Sequence, residues 1–453
     1  RKDVTYMINQ TSLKEQTQND IYSAMKELKI SQLLRQANIR KKGIKSFDIF
    51  GTLLVVVFLK CTLFQLLNSQ NKDNYYSKNT YNRFLNNESF NWLRFLSLLA
   101  LRVITIFSRL TRPDRPGLFV IDDSTLHRDR NTKAELLAKT YDHVIRKYCK
   151  GYTLLTLGWT DGFSFVPVGF NMLSSAKKKN RYNEISKDID HRSIAYKIRK
   201  ESIMPKPDAV ITLLKKALDV GIYGKYVLMD TWFTTAPMIS RIKELGLDVI
   251  GMVKRGQQKY FYKGNGYTLS TLRKMAWKHN SDRVIGEIQV TTNRGVAVKL
   301  VFIKNRNKKN SWLCLLSSDI TLDAQEVIRL YENRWSIECF FKVAKSQLQL
   351  GKEYQNINYS TAVASTTIVC TRYILLEWLR RQENDTRTLG ALFRMTCEEV
   401  QDVTFEASLA NLLLLLMDAA ESFGEECINL IKSKVSEWIN SQHRFYRVLA
   451  YLS

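Results

Sequence analysis

Paired cysteines, histidines, acidic residues and long unbroken apolar runs are all scarce in this 453-residue sequence. The seven cysteines lie far apart, form no Cys-x-x-Cys and are odd in number. The five histidines do not stand at zinc-ligand spacing, His127, His143 and His191 included. A local zinc motif and a disulfide framework are thereby excluded, and a reducing, cytoplasmic setting is expected. No signal-peptide pattern opens the sequence, although its start at Arg1 leaves a processed beginning open. The most apolar segment, 47–67, contains Asp48, Lys60 and Gln65, which reads as buried helix rather than a membrane span. The Leu412–Met417 run is too short to cross a bilayer, so no membrane association is expected. Acidic residues number 43 against 69 Lys and Arg, a net charge of +26. That surplus points to a polyanionic partner, nucleic acid first, though an anionic membrane surface or an RNA-rich assembly would satisfy the same charge.

The length allows two to four domains, and no internal repeat is visible. Residues 1–112 read as a helical region with basic (33–45) and apolar (47–67, 90–110) clusters, either a DNA-binding module or a packing domain. The breaker-rich connector 111–117 ends this region. Short strands are expected at 118–121, 152–158 and 163–170. The basic stretch 177–206 reads as a mobile loop near a phosphate backbone or as a solvated face. A helix at 207–221, a strand at 226–229 and a helix at 234–245 follow. Alternation then marks strands at 247–253, 284–290, 296–303 and 312–316, and from Leu322 the pattern is helical. This divides the chain at 113–246, 247–320, 321–350 and 351–453.

Two carboxylates follow hydrophobic strands. Leu118-Phe-Val-Ile121 runs into Asp122-Asp123, and Tyr226-Val-Leu-Met229 runs into Asp230-Thr-Trp-Phe233. Such positions gather chemistry in α/β folds and also cap helices. Further on, Tyr331, Arg334, Glu338 and Lys345 are spaced i, i+3, i+7 and i+14. At about 100° per residue they share a stripe about 60° wide on one helix. A carboxylate between two cations and a phenol suits a metal ion approached by a phosphate; an amphipathic helix with an Arg334–Glu338 pair is the plainer reading. Strands led by an Asp, a strand ending in Asp and a late helix bearing Glu follow the order of an RNase H-like nuclease core. There, three carboxylates hold two Mg²⁺ ions.

The Tyr331-x2-Arg334-x3-Glu338-x6-Lys345 stretch resembles the YREK signature of the IS4 family of bacterial insertion-sequence transposases. Asp122-x-Ser124-x-Leu126 resembles the family's first-Asp motif. The resemblance covers about 118–350. It implies an α/β fold: an RNase H-like core interrupted by a β-rich insertion domain (247–320) and resumed in the YREK helix (321–350), with helical regions on either side. The first of these (1–112) is expected to bind DNA, and the last (351–453) is a candidate dimerisation region. The resemblance also implies Asp122, Asp230 and Glu338 as catalytic metal ligands for two Mg²⁺ ions, with Mn²⁺ as a substitute. Asp122 would bridge the ions, and a one-residue shift of frame would put Asp123 in its place. Tyr331, Arg334 and Lys345 would hold phosphates. Trp312 resembles the insertion-domain tryptophan that stacks on a flipped base, with core packing as the alternative. Lys254 and Arg255 read as further DNA contacts or solvated cations. The implied activity is cleavage at transposon terminal inverted repeats and strand transfer into target DNA by a homodimer, through a hairpin in several relatives.

Two rival readings have sequence features of their own. His443-Arg-Phe-Tyr446 superficially resembles a tyrosine recombinase, without the remaining Arg/His constellation in order. A transposase-derived chain that binds ends without cutting would keep the same motifs.

Overall fold

The computed structural model describes residues 20–40, 43–68, 75–111, 115–279, 281, 283–305, 308, 311–353, 357–382, 388–398, 416 and 424–441. His443 and Tyr446 lie outside the described residues, as does the 412–417 run apart from Leu416. Helices come first: α1 (Asp20–Glu27), α2 (Ile30–Gln36), α3 (Ser46–Val55), α4 (Leu63–Leu67), α5 (Lys78–Leu85) and α6 (Trp92–Leu110). Strands β1 (Leu118–His127), β2 (Ala138–Asp142), β3 (Lys147–Thr160) and β4 (Phe165–Leu173) follow. Next come α7 (Ile194–Ser202), α8 (Lys206–Val220), β5 (Tyr226–Met229), α9 (Ala236–Lys243) and β6 (Asp248–Val253). β7 (Lys259–Tyr262), β8 (Asn265–Thr268), α10 (Leu269–Met275), β9 (Trp277–Lys278), β10 (Val284–Thr291), β11 (Ala297–Lys304) and β12 (Trp312–Ser317) come after them. The last are α11 (Ala324–Glu332), α12 (Trp335–Ser346), α13 (Tyr359–Gln382) and α14 (Glu425–Ser441).

Apolar residues three and four apart, Trp92, Phe95, Leu96, Leu99, Val103 and Phe107, give α6 one buried face. The Asn91 side chain starts the helix by accepting the Arg94 amide. α6 packs on β4 and on α13. α13 is long and apolar enough to cross a membrane, but here α1, α3, α5, α6 and β4 surround it. Enclosure on every side accounts for its composition, because a helix apolar all round is a core helix. Its faces are therefore taken up by the chain's own packing.

All twelve strands among the described residues form one sheet, ordered β2-β3-β1-β5-β6-β12-β11-β10-β7-β8, with β4 on β3 and β9 on β10. β1 and β4 run antiparallel to β3, whereas β1, β5 and β6 are parallel. Helical crossovers through α7–α8 and α9 supply the parallel returns. This mixed α/β arrangement is consistent with an RNase H-like domain. β12 lies antiparallel to β6, so the later strands extend the same sheet.

Several expected boundaries move. β6, assigned by its pattern to a region starting at 247, is the parallel neighbour of β5. β1 does not end before Asp122 but continues to His127, because β3 pairs with it over all ten residues. The basic 177–206 stretch is not all loop: α7 occupies its end and buries Ala195, Arg199 and Ser202.

Candidate active site

Parallel pairing of β1 with β5 stops at Val120 opposite Leu228, and Asp122 stands two residues beyond it. Asp122 and Asp123 project to opposite sides of the strand, and their partners separate accordingly. Asp122 Oδ2 accepts from Arg334 Nη1 at 3.1 Å, while Asp123 Oδ1 accepts from Lys206 Nζ at 2.9 Å. Asp230 directly follows β5. Its Oδ1 accepts the amides of Trp232 (2.9 Å) and Phe233 (3.2 Å), and Thr234 Oγ1 donates to its carbonyl at 2.6 Å. This local turn fixes the carboxylate at the edge of the sheet.

The expected single helix through the late motif is two helices. α11 ends at Glu332 and α12 begins at Trp335, and the bonds across the junction are short-range: Arg334 N to Tyr331 O and Ser336 N to Asn333 O. Arg334 caps α12. From there its guanidinium reaches Asp122 with one nitrogen and Glu338 Oε1 with the other. Tyr331 lies beside it, with the guanidinium 6.0 Å from the ring centre. Lys345 stands apart from this group: its Nζ donates to Thr125 O at 3.1 Å.

Electrostatics mark the same place. Burial pushes the Asp122 carboxyl up to about 7, against the Asp123 amide and Arg334, and with help from the Asp230 and Asp123 charges. Burial likewise raises Tyr331 to about 12, with Arg334 opposing and Asp230 adding. Burial works against the Arg334 cation, yet Tyr331, Glu338 and Asp122 hold its pKa above the usual value. Burial lowers Lys345. A half-buried carboxyl crowded by a second carboxylate, with a third tied to it through one arginine, is a donor set that fits hard divalent cations.

Trp312 does not offer a stacking face. It is buried, edge-on to Phe302 at 5.5 Å, and the Arg255 guanidinium lies 3.8 Å above its ring. Its ring lies between Phe302 and the Arg255 guanidinium. Lys254 is exposed just past the end of β6, the same sheet edge as Asp230. Three neighbours of the site were given no role from sequence. Trp232 and Trp335 are 48% and 62% exposed beside Asp230 and Arg334. Lys206 lies 4.2 Å above the Trp232 ring. An aromatic within three residues of a motif acid was a usable signal for both tryptophans; nothing set Lys206 apart from its basic run.

Comparison with curated proteins gives no match. Family models do match. Residues 66–265, holding Asp122 and Asp230, match one described as DDE superfamily endonuclease. Residues 204–354, holding Asp230, Tyr331, Arg334, Glu338 and Lys345, match one described as Transposase DDE domain. Domains of this kind use divalent metals and act on DNA. The two matches together support a DDE-type transposase or endonuclease role for this chain.

Proposed function

We propose that this chain is a cut-and-paste DDE transposase of the IS4 type, which binds transposon ends, cuts them and joins them to target DNA. The observation that carries this reading is the convergence of Asp122 and Glu338 on Arg334 beside Asp230, inside the stretch matched by the DDE models. Asp122, Asp230 and Glu338 would hold the Mg²⁺ ions. When bound, such ions activate the attacking oxygen and stabilise the leaving one in an in-line displacement.

The chain's own groups do the rest. Arg334 orients both carboxylates, and its five donors leave some to meet a phosphate. Tyr331, kept protonated, donates to a phosphate oxygen, and Lys254 tracks the backbone at the sheet edge. Lys345 serves from the Thr125 side. The exposed rings of Trp232 and Trp335 suit unpaired bases at a cut end, a role Trp312 is too covered to take. The net charge of +26 attracts DNA from a distance. A cleft of about 730 Å³ between α1, α2 and α3, lined by Lys26, Lys29, Arg35, Arg40 and Lys45, suits duplex phosphates away from the cut. Pairing two ends calls for a homodimer on DNA, for which α14, with Leu430 exposed, is one candidate surface.

The test is cleavage of DNA bearing the terminal inverted repeats that flank the coding region, with Mg²⁺, by wild type and by Glu338→Gln. Cutting by wild type alone is expected. If neither cuts while both bind, the chain is an end-binding protein without catalysis, and the reading fails.

A further inference from the structure

β1 and β3 close a second cluster beyond the carboxylates. His127 ends β1, Asp129 follows it, Cys149 lies in β3 and Asp142 ends the edge strand β2. No two of the four are at a spacing that would mark a metal motif in the sequence. Strand register assembles them, with His127 opposite Gly151 and Thr140 opposite Cys149.

The ligating atoms of His127, Asp129 and Cys149 all lie within 4.8 Å of one another. His127 Nδ1 is 3.2 Å from Asp129 Oδ2. Tetrahedral zinc, with bonds of about 2.0–2.3 Å, sets neighbouring ligand atoms about 3.3–3.6 Å apart, a spacing the His127–Asp129 pair already approaches and the thiol would meet by closing in. The other ring nitrogen is already committed: His127 Nε2 is 2.7 Å from Asp142 Oδ2, whose side chain is 9% exposed. Asp142 is in turn fixed by the amides of Val144 (2.7 Å) and Ile145 (3.2 Å). A carboxylate that holds one imidazole nitrogen and aims the other at a ligand cluster is the usual outer support of a zinc histidine. The Lys150 amide, 2.9 Å from Asp129 Oδ1, orients that ligand in the same way. Cys149 is buried and supplies the soft donor that selects zinc over magnesium.

We propose that His127 Nδ1, Asp129 and Cys149 bind one Zn²⁺ ion, with Asp142 as the positioning residue and solvent as the fourth ligand. Cys149 releases its thiol proton to solvent on binding. The ion would clasp the free end of β2 and β3 to the end of β1. The site is separate from the Mg²⁺ carboxylates and does not depend on the transposase reading.

Co²⁺ titration of the full chain tests it, because a thiolate ligand gives a cobalt charge-transfer band that carboxylates cannot. One such Co²⁺ per chain is expected, displaced by Zn²⁺. The band should be lost in Cys149→Ser and His127→Gln and kept in Cys339→Ser, whose exposed thiol beside Glu338 is the competing donor. Asp142→Asn should weaken binding by about 10–100-fold. Far-ultraviolet circular dichroism of each variant checks that a lost band is not a lost fold. No thiolate band, or a band that survives Cys149→Ser or His127→Gln, overturns the proposal.

Discussion

Arg334 is the residue on which the candidate site turns, because it alone contacts two of the three motif carboxylates among the described residues. Its fork spans Asp122 and Glu338 from the α11–α12 junction, a geometry that an ammonium on a flexible stem cannot reproduce. Arg334→Lys keeps the charge, so DNA affinity should change little, with 69 basic residues contributing to it. Single-turnover cutting should fall by about 10²-fold, as when one oriented donor is withdrawn from a reacting centre. Wild-type cutting by Arg334→Lys would show that charge, not orientation, is what the site needs. Legibility at this scale was uneven. Spacing singled out Asp122, Asp230 and Glu338, since each follows or sits within a strong periodic pattern. The pairing of Arg334 with Asp122 was not legible, because the two are 212 residues apart and only the sheet brings them together. Nor was the covering of Trp312 by Arg255, which depends on two neighbouring strand ends.

At the scale of elements, the Asp230 turn depends on a position in the neighbouring strand. Gly251 in β6 sits where an added methyl would collide with Thr234 Oγ1, and Thr234 holds the Asp230 carbonyl. Gly251→Ala should therefore destabilise the fold by about 1–3 kcal/mol, the usual cost of overpacking. It should also reduce cutting further than the stability loss explains, because Asp230 is displaced. Thermal unfolding and cleavage measured together check this; an unchanged melting temperature would mean that Thr234 yields freely. Strands with apolar cores, β1, β3, β4 and β5, were legible from sequence because buried Val, Leu and Phe residues mark them. β2 was not: it is a five-residue edge strand, with Lys139 and Tyr141 exposed. α7 escaped because its buried face includes Arg199, a charge that hydrophobic patterning discounts. The α11–α12 break left no trace either. Asn333 and Arg334 keep right-handed helical angles, so no Gly or Pro announces it.

Across the whole molecule, buried arginines join segments that are distant in sequence. Arg372 on α13 donates to the carbonyls of Leu53 and Leu54 in α3, to Leu348 after α12 and to both oxygens of Glu353. The leading helices are thereby tied to the helix that carries Glu338. Arg199 plays the same part on the other side. It pairs with Glu135 in the β1–β2 connection at 2.6 and 2.7 Å and donates to Ser360 at the start of α13. Burial alone would raise the Glu135 pKa, but Arg199 and the amides of Ser186 and Tyr359 outweigh it and hold the group below its usual value. A carboxylate with a depressed folded-state pKa stabilises the protein above its unfolded value of 4.5. That stability is lost as pH falls through the folded-state pKa. Glu135→Gln leaves Arg199, 2% exposed, without its counter-charge, so it should cost about 3–5 kcal/mol at pH 7. Its stability should then fall less steeply than the wild type's below pH 4.5, since the titrating group is gone. Urea unfolding of both proteins at pH 7 and pH 4 measures this. Parallel losses in the two proteins would show that the Glu135–Arg199 pair does not couple the sheet to α13.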